Sequence, residues 1–362
     1  MSSATNDVLL VGSLPFDEAS EALRTSGELL GHHVSGLPDG EVGDRKIWIG
    51  FLPRNIYSKH PDLQVLKAPK GGVQQQPDEK PEIWEASFLF GLKEGVESLT
   101  FDDIGYGRFA IDSYREYLKL REAGSIADGV RFQVCIPGTG SAVSYFFGEP
   151  DQWPIAHKAY HEAIHREVEK ILEVADPNDL QFQFDFAMEF VDMARGDAQG
   201  IAHWPIEPLE QKIQRHSAYI DEVWQGIPEE ALLGYHWCYG TWGGWPMSEL
   251  ADLSLCVRMT NEAKKRTGRR LDYVHMPVVA DPDDSFFAPL ADLDADGTKV
   301  YLGMIHHDDG VEGFRRRATL AKRYLPEFGI GAVCGYGRLP ADQLPDVLTL
   351  HRDCANELQG VG

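Results

Sequence analysis

The sequence predicts an α/β protein, a single (β/α)8 (TIM) barrel spanning residues 1–362 with a long insertion after its second strand. Two observations carry that expectation. After about residue 130, short apolar runs alternate with amphipathic segments almost without exception, and two further runs near the N-terminus bring the strands to eight. Strands separated by helices must run parallel, and eight parallel strands close into a barrel whose strand ends share one rim. A chain of 362 residues is long enough for such a unit.

Taken in order, Val8–Gly12 is a continuous apolar run stopped by Gly12-Ser13, the mark of a fully buried strand. Asp17 can cap a helix that reaches Leu30, and His33–Leu37 reads as a second short strand. From about 40 to 129 turn residues are frequent and periodicity is poor, apart from helical patterns near Ile83–Glu94 and Asp112–Glu122. Trp48, Phe51, Tyr57, Trp84 and Phe88 fall there and argue for a folded lid or subunit interface rather than a tether. The regular part follows. Strands are expected at Phe132–Ile136, Leu180–Phe184, Leu232–Trp237, Leu271–Met276, Val300–Ile305 and Ile330–Cys334. Helices are expected at Trp153–Val174, Glu207–Gln225, Ser248–Arg266, Val311–Tyr324 and Ala341–Leu358.

A net charge of −23 excludes nucleic acid and anionic membranes as natural partners, since both select clustered Lys and Arg. No apolar run approaches the ~20 residues a membrane span needs, and Met1–Asp7 is short and polar rather than a signal peptide. A cytoplasmic protein acting on small molecules is expected, with a homo-oligomer compatible. Cys135, Cys238, Cys256, Cys334 and Cys354 are an odd, sparse set, which fits thiols better than disulfides.

The stretch Leu233-Gly-Tyr-His-Trp-Cys-Tyr-Gly240 alternates like a buried strand and then breaks. His236 and Cys238, two apart, point the same way as the strand runs out. The barrel reading adds Cys334 from another strand end and His275 from the strand between them. Together these make an N2S2 set for zinc, or an open site with three protein ligands. Other strand-end residues are Ser13; Asp39, Glu41 and Arg45; Thr139 and Ser141; Asp185 and Glu189; His306 and His307; and Arg338. Asp185, His306 and His307 are candidates for acid–base work. Ser13, Arg45, Thr139 and Glu189 are candidates for gripping substrate, with Trp237 and Tyr239 among the rings that would wall an aromatic one.

Two patterns read otherwise. Asp292-x-Asp294-x-Asp296-Gly297 opens like a calcium loop but has Gly303 at the twelfth position, where a Glu should be. His157, His161 and His165 share one helix face, expected to be solvated on the outside of a barrel.

In sequence order, Gly12-Ser13-Leu-Pro15, His236-x-Cys238-Tyr239 and Cys334-Gly335 resemble signatures of cobalamin-independent methionine synthase, and Asp185 falls where that family has a strand-end Asp. The resemblance covers most of this chain but only the family's C-terminal catalytic barrel. It implies a zinc held by His236, Cys238 and Cys334 that binds an acceptor thiol, which attacks a donor's methyl group. The family's fourth ligand is a Glu. None stands at the end of Leu271–Met276, where His275 takes the place. Asp185 lacks the Glu-Pro that follows it in the family, and His306-His307 is a further departure. The leading expectation is a zinc-dependent methyl or alkyl transferase with a thiol acceptor and a methylated small donor, which an aromatic wall would suit. The alternatives are a lyase or decarboxylase working by His/Asp acid–base chemistry, and a non-catalytic small-molecule-binding protein.

Overall fold

The computed structural model describes residues 7–68, 88–197, 199–201, 203–241 and 244–360. Its strands, in chain order, are β1 (Val8–Leu9), β2 (Gly36–Pro38), β3 (Leu63–Lys67), β4 (Leu89–Leu92), β5 (Arg131–Pro137), β6 (Leu180–Phe186), β7 (Leu232–Trp237), β8 (Tyr273–Pro277), β9 (Lys299–Ile305) and β10 (Gly329–Ala332). Eight of them form one sheet in the order β1-β10-β9-β8-β7-β6-β5-β2, parallel throughout. A parallel bridge between Val8 and Val34 joins the two edges, so the sheet wraps into a TIM barrel.

Strand β6 shows why the sheet closes. Its sequence LQFQFDF is buried at every position. Phe182, Phe184 and Phe186 alternate with polar residues, and Phe186 packs edge-on against Tyr235 and Trp237. The alternate residues face the barrel axis, where their amides bond to one another and to backbone. Gln133 Nε2 donates to the Leu10 carbonyl at 2.9 Å, Gln181 Nε2 to Gln133 Oε1 at 2.7 Å, and Gln183 Nε2 to the Val11 carbonyl at 2.5 Å. A polar barrel floor is stable only because its donors are met in this way.

The helices follow the predicted alternation, with ends shifted by a few residues. The first, Ala19–Leu30, carries no side-chain cap; Asp17, expected to supply one, pairs instead with Lys46. Helix Tyr106–Glu122 packs between Ala19–Leu30 and Trp153–Leu172, which makes it the barrel's own second helix. The excursion therefore ends near residue 105 rather than 129. Of the helix expected near Ile83–Glu94, residues 83–87 lie outside the described residues, and 89–92 form β4, antiparallel to β3. Tertiary partners decide that strand: Phe90 N donates to the Phe146 carbonyl at 2.8 Å, and Tyr57 packs on both Phe90 and Phe147.

Candidate metal centre and active-site cleft

At the carboxyl ends of β1, β2, β6, β7 and β10 a cleft of about 970 Å3, including its open mouth, is sunk into the rim. Strand β7 brings His236 to its floor. Register pairs His236 with Asp185 on one side and His275 on the other, and the chain continues to Cys238 as the strand ends. Cys334 follows β10, and its turn passes close to β1. A Cβ on Gly335 would stand 2.9 Å from Ser13 N, and one on Gly337 2.9 Å from Ser13 Cβ, so only glycine fits there.

The result is one nitrogen and two sulfurs, contributed by His236, Cys238 and Cys334, all within 4.8 Å of one another. The Cys238 and Cys334 sulfurs are 3.5 Å apart. Two thiolates on one tetrahedral zinc would stand about 3.8 Å apart, given Zn–S bonds of about 2.3 Å. His236 Nε2 is buried and makes no well-formed hydrogen bond with any described residue, though the Cys334 sulfur lies beside it. The S–H shared with Cys334 and burial hold the Cys238 thiol well above its ordinary range. The same contact, as the bond Cys334 accepts, pulls Cys334 well below. An imidazole nitrogen without a well-formed hydrogen bond and two neighbouring sulfurs form a donor set that a soft divalent cation would complete. The residues present fit zinc. His275, expected as a fourth ligand, stands behind His236 instead, with its Nδ1 2.8 Å from His236 Nδ1.

Two buried carboxylates share the cleft. Asp185, at the end of β6, accepts a hydrogen bond from Gln183 Nε2 at 2.8 Å; burial, then the charge of Glu41, pushes its pKa well above the carboxylate range. Glu41 accepts from Ser13 Oγ, and burial raises its pKa to about 7. Glu41 also occupies the left-handed backbone region, with φ of 52°, which a non-glycine residue adopts only when its surroundings impose it. Asp39 imposes it. Its carboxylate accepts from Glu41 N at 3.0 Å, from Ser113 Oγ at 2.7 Å and from Arg45 Nη2 at 2.5 Å. Arg45, expected to meet substrate, thus clips the loop that presents Glu41. Glu41, like Arg338, is a cleft residue that the sequence names at a strand end without a role; its signal is the tight Asp39-Gly-Glu41 turn at the end of β2.

Ser13, Asp185, His236, Cys238 and Cys334 line the cleft. The other candidates do not. Thr139 Oγ1 lies 2.8 Å from His161 Nε2 on the helix side. Glu189 is fully buried and locks the turn after β5, accepting from Ser141 Oγ at 2.6 Å and Ser141 N at 3.0 Å. Trp237 points outward, stacked on Tyr235 and Phe190, and donates to Thr260 Oγ1 at 2.9 Å. Tyr239 is buried, edge-on to Phe190, with its hydroxyl 3.9 Å from Cys256 Sγ. His306 Nε2 lies 2.8 Å from the Val278 carbonyl, and His307 is half exposed beside Asp308. The aromatic and apolar wall comes from Trp48, Tyr145, Phe146, Met188 and Met247 instead, while Lys46 and Arg338 stand among its lining residues.

The histidine row on helix Trp153–Leu172 is not the solvated face expected of it. His157 and His161 contact Ser144 and Thr139 at 2.8 Å, and His165 Nε2 lies 2.8 Å from the Glu222 carbonyl. The reason is that this face packs on the loops after β5 and on the next helix layer. In the calcium-like loop, Asp294 is taken by Lys264 at 2.7 Å.

Scans against protein-family models and against curated sequences give no match. Solved structures do match. A B12-independent methionine synthase from Shewanella sp. W3-18-1, in complex with selenomethionine, aligns with a TM-score of 0.58 at 12% identity over 94% of this chain and 88% of that one. A putative vitamin-B12-independent methionine synthase from Listeria monocytogenes aligns with a TM-score of 0.55 at 12% identity over 94% and 86%. This chain is thus built on the barrel fold of the B12-independent methionine synthases.

Proposed function

We propose that this protein transfers a methyl or other small alkyl group to a thiol, with zinc held by His236, Cys238 and Cys334. The observation that carries the reading is the meeting of those three donor atoms, one of them an orphaned imidazole nitrogen, at the floor of the cleft that holds Glu41 and Asp185. Zinc bound there would leave a position for the acceptor thiol and keep its thiolate nucleophilic at neutral pH.

The chain's own groups suggest the acceptor. Burial raises the pKa of both carboxylates, Glu41 adds to the rise at Asp185, and an ammonium between them would restore both charges. That arrangement suits an amino-acid thiol such as homocysteine, and the Shewanella neighbour was solved with an amino acid, selenomethionine. Ser13 Oγ already donates to Glu41 and so holds the carboxylate that would face the ammonium. Trp48, Tyr145, Phe146, Met188 and Met247 would exclude water around an apolar or aromatic donor. His306 and His307, expected to handle the proton in the transferase and to do the acid–base work of a lyase, stand outside the cleft lining.

Metal analysis and binding test the reading. About one zinc per chain is expected, lost in both Cys238→Ser and Cys334→Ser. With the zinc protein, homocysteine should raise the melting temperature and be consumed when a methyl donor is supplied from a panel that includes short-tailed folates. A folded, zinc-free protein, or a zinc protein that neither binds nor alkylates homocysteine or any of a set of other small thiols, would refute it.

A further inference from the structure

We infer that His275 is a positioning residue that fixes the tautomer of His236 and so makes its Nε2 a metal donor; the inference rests on the metal reading above. The two rings meet through Nδ1 and Nδ1 at 2.8 Å, with centroids 4.8 Å apart, and both are buried. One of these nitrogens must donate and the other accept, so two arrangements exist. If His275 donated, His236 would carry its remaining proton on Nε2, and that nitrogen would have no lone pair for a cation. If His236 donates, Nε2 is free.

The surroundings select the second arrangement. His275 Nε2 makes no full hydrogen bond, but the Ala332 carbonyl is its neighbour: a Cβ on Gly303 would lie 2.7 Å from that oxygen and 2.9 Å from the nitrogen, and only an N–H on Nε2 can use a carbonyl. With its proton on Nε2, a neutral His275 offers a lone pair at Nδ1 and compels His236 Nδ1–H to donate to it. The ring also occupies a slot shaped for it. A Cβ on Gly303 would lie 2.9 Å from both Cε1 and Nε2 of His275, and one on Gly331 would lie 3.3 Å from Nε2. Two adjacent strands therefore carry glycine where the imidazole needs room. A metal-bound histidine commonly has its other N–H held by a carboxylate, carbonyl or water. Here a second histidine takes that part, and a neutral ring adds no charge to a site that already contains two thiols.

The test is metal affinity in the full-length protein, measured with zinc by chelator competition and with cobalt by its sulfur-to-metal and d–d absorption. His275→Leu removes the acceptor, and His275→Asn keeps one near Nδ1. The expected result is a 10- to 100-fold loss of zinc affinity in His275→Leu, the usual range for such outer partners. Its cobalt spectrum should also change, and His275→Asn should recover most of the affinity. Circular dichroism and thermal unfolding confirm that each variant is folded; if His275→Leu does not fold, His275→Gln takes its place with the same affinity loss expected. Wild-type affinity and an unchanged cobalt spectrum in the folded leucine or glutamine variant would overturn the inference alone. A wild-type protein that binds neither zinc nor cobalt would overturn the metal reading and this inference together.

Discussion

Replacing Arg45 by Met tests whether the loop carrying Glu41 is held by a buried ion pair. The Arg45 and Asp39 side chains are only 6% and 5% exposed, so solvent screens little of the interaction. Removing one partner of a buried pair costs about 3–5 kcal/mol, because the other charge is left uncompensated. Asp39 would keep its bonds from Glu41 N and Ser113 Oγ, which places the loss near the lower end, ~3 kcal/mol. An unfolding entropy of about 2.1 cal/mol/K per residue amounts to roughly 0.8 kcal/mol/K over 362 residues, so the melting temperature should fall by about 4 °C. Arg45→Met with Asp39→Asn should recover part of that loss, since no buried charge then remains. In the zinc protein, Arg45→Met should weaken homocysteine binding by releasing Glu41 from its φ of 52° while leaving zinc affinity unchanged. Calorimetry and thermal-shift titration read both effects. A melting temperature within 1 °C of wild type, roughly 1 kcal/mol or less by the same scaling, would refute the argument that this pair carries the loop. So would a double variant no more stable than the single one.

Other outcomes follow from the same geometry. Burial lowers the pKa of His157 to about 3 and of His161, His216 and His351 to about 4. Each folded pKa lies below the unfolded value near 6.5, so the unfolded chain takes up protons first. Denaturant titrations should therefore show the histidine contribution in full above about pH 6.5. It is lost as pH falls toward about 4, while Glu41 and Asp185, whose folded pKa values are raised, contribute with the opposite sign; His157→Asn should therefore lessen the loss of stability on acidification, and a pH profile parallel to wild type would contradict the burial of this ring. Gly140→Ala places a Cβ 2.8 Å from Glu189 Oε1 and should destabilise by about 1–3 kcal/mol in chemical denaturation without changing zinc content. Trp237→Phe should cost about 1 kcal/mol through the lost bond to Thr260 yet leave homocysteine binding unaltered; weakened binding would show that this ring reaches the cleft after all.

The barrel was legible because its signal is periodic and local. Buried strands are short apolar or alternating runs, and their number and strict interleaving with helices leave few other closed arrangements. His236 and Cys238 could be placed on one side of β7 by parity alone, and Cys334 joined them once the strands were counted round the barrel. The same parity puts Trp237 on the opposite face, where it stacks on Tyr235, so its outward position was already implied by its spacing from His236. The sequence by itself therefore determined the barrel and the meeting of His236, Cys238 and Cys334 at its rim, since each follows from a repeat of two along strands and of one strand per helix. Only the tertiary structure decided how those side chains are used. Which ring His275 touches, that Glu41 turns into the cleft while Arg45 clips the loop behind it, and that Thr139 and Glu189 brace turns are matters of packing between segments remote in the chain, and no local period encodes the contact that settles each one.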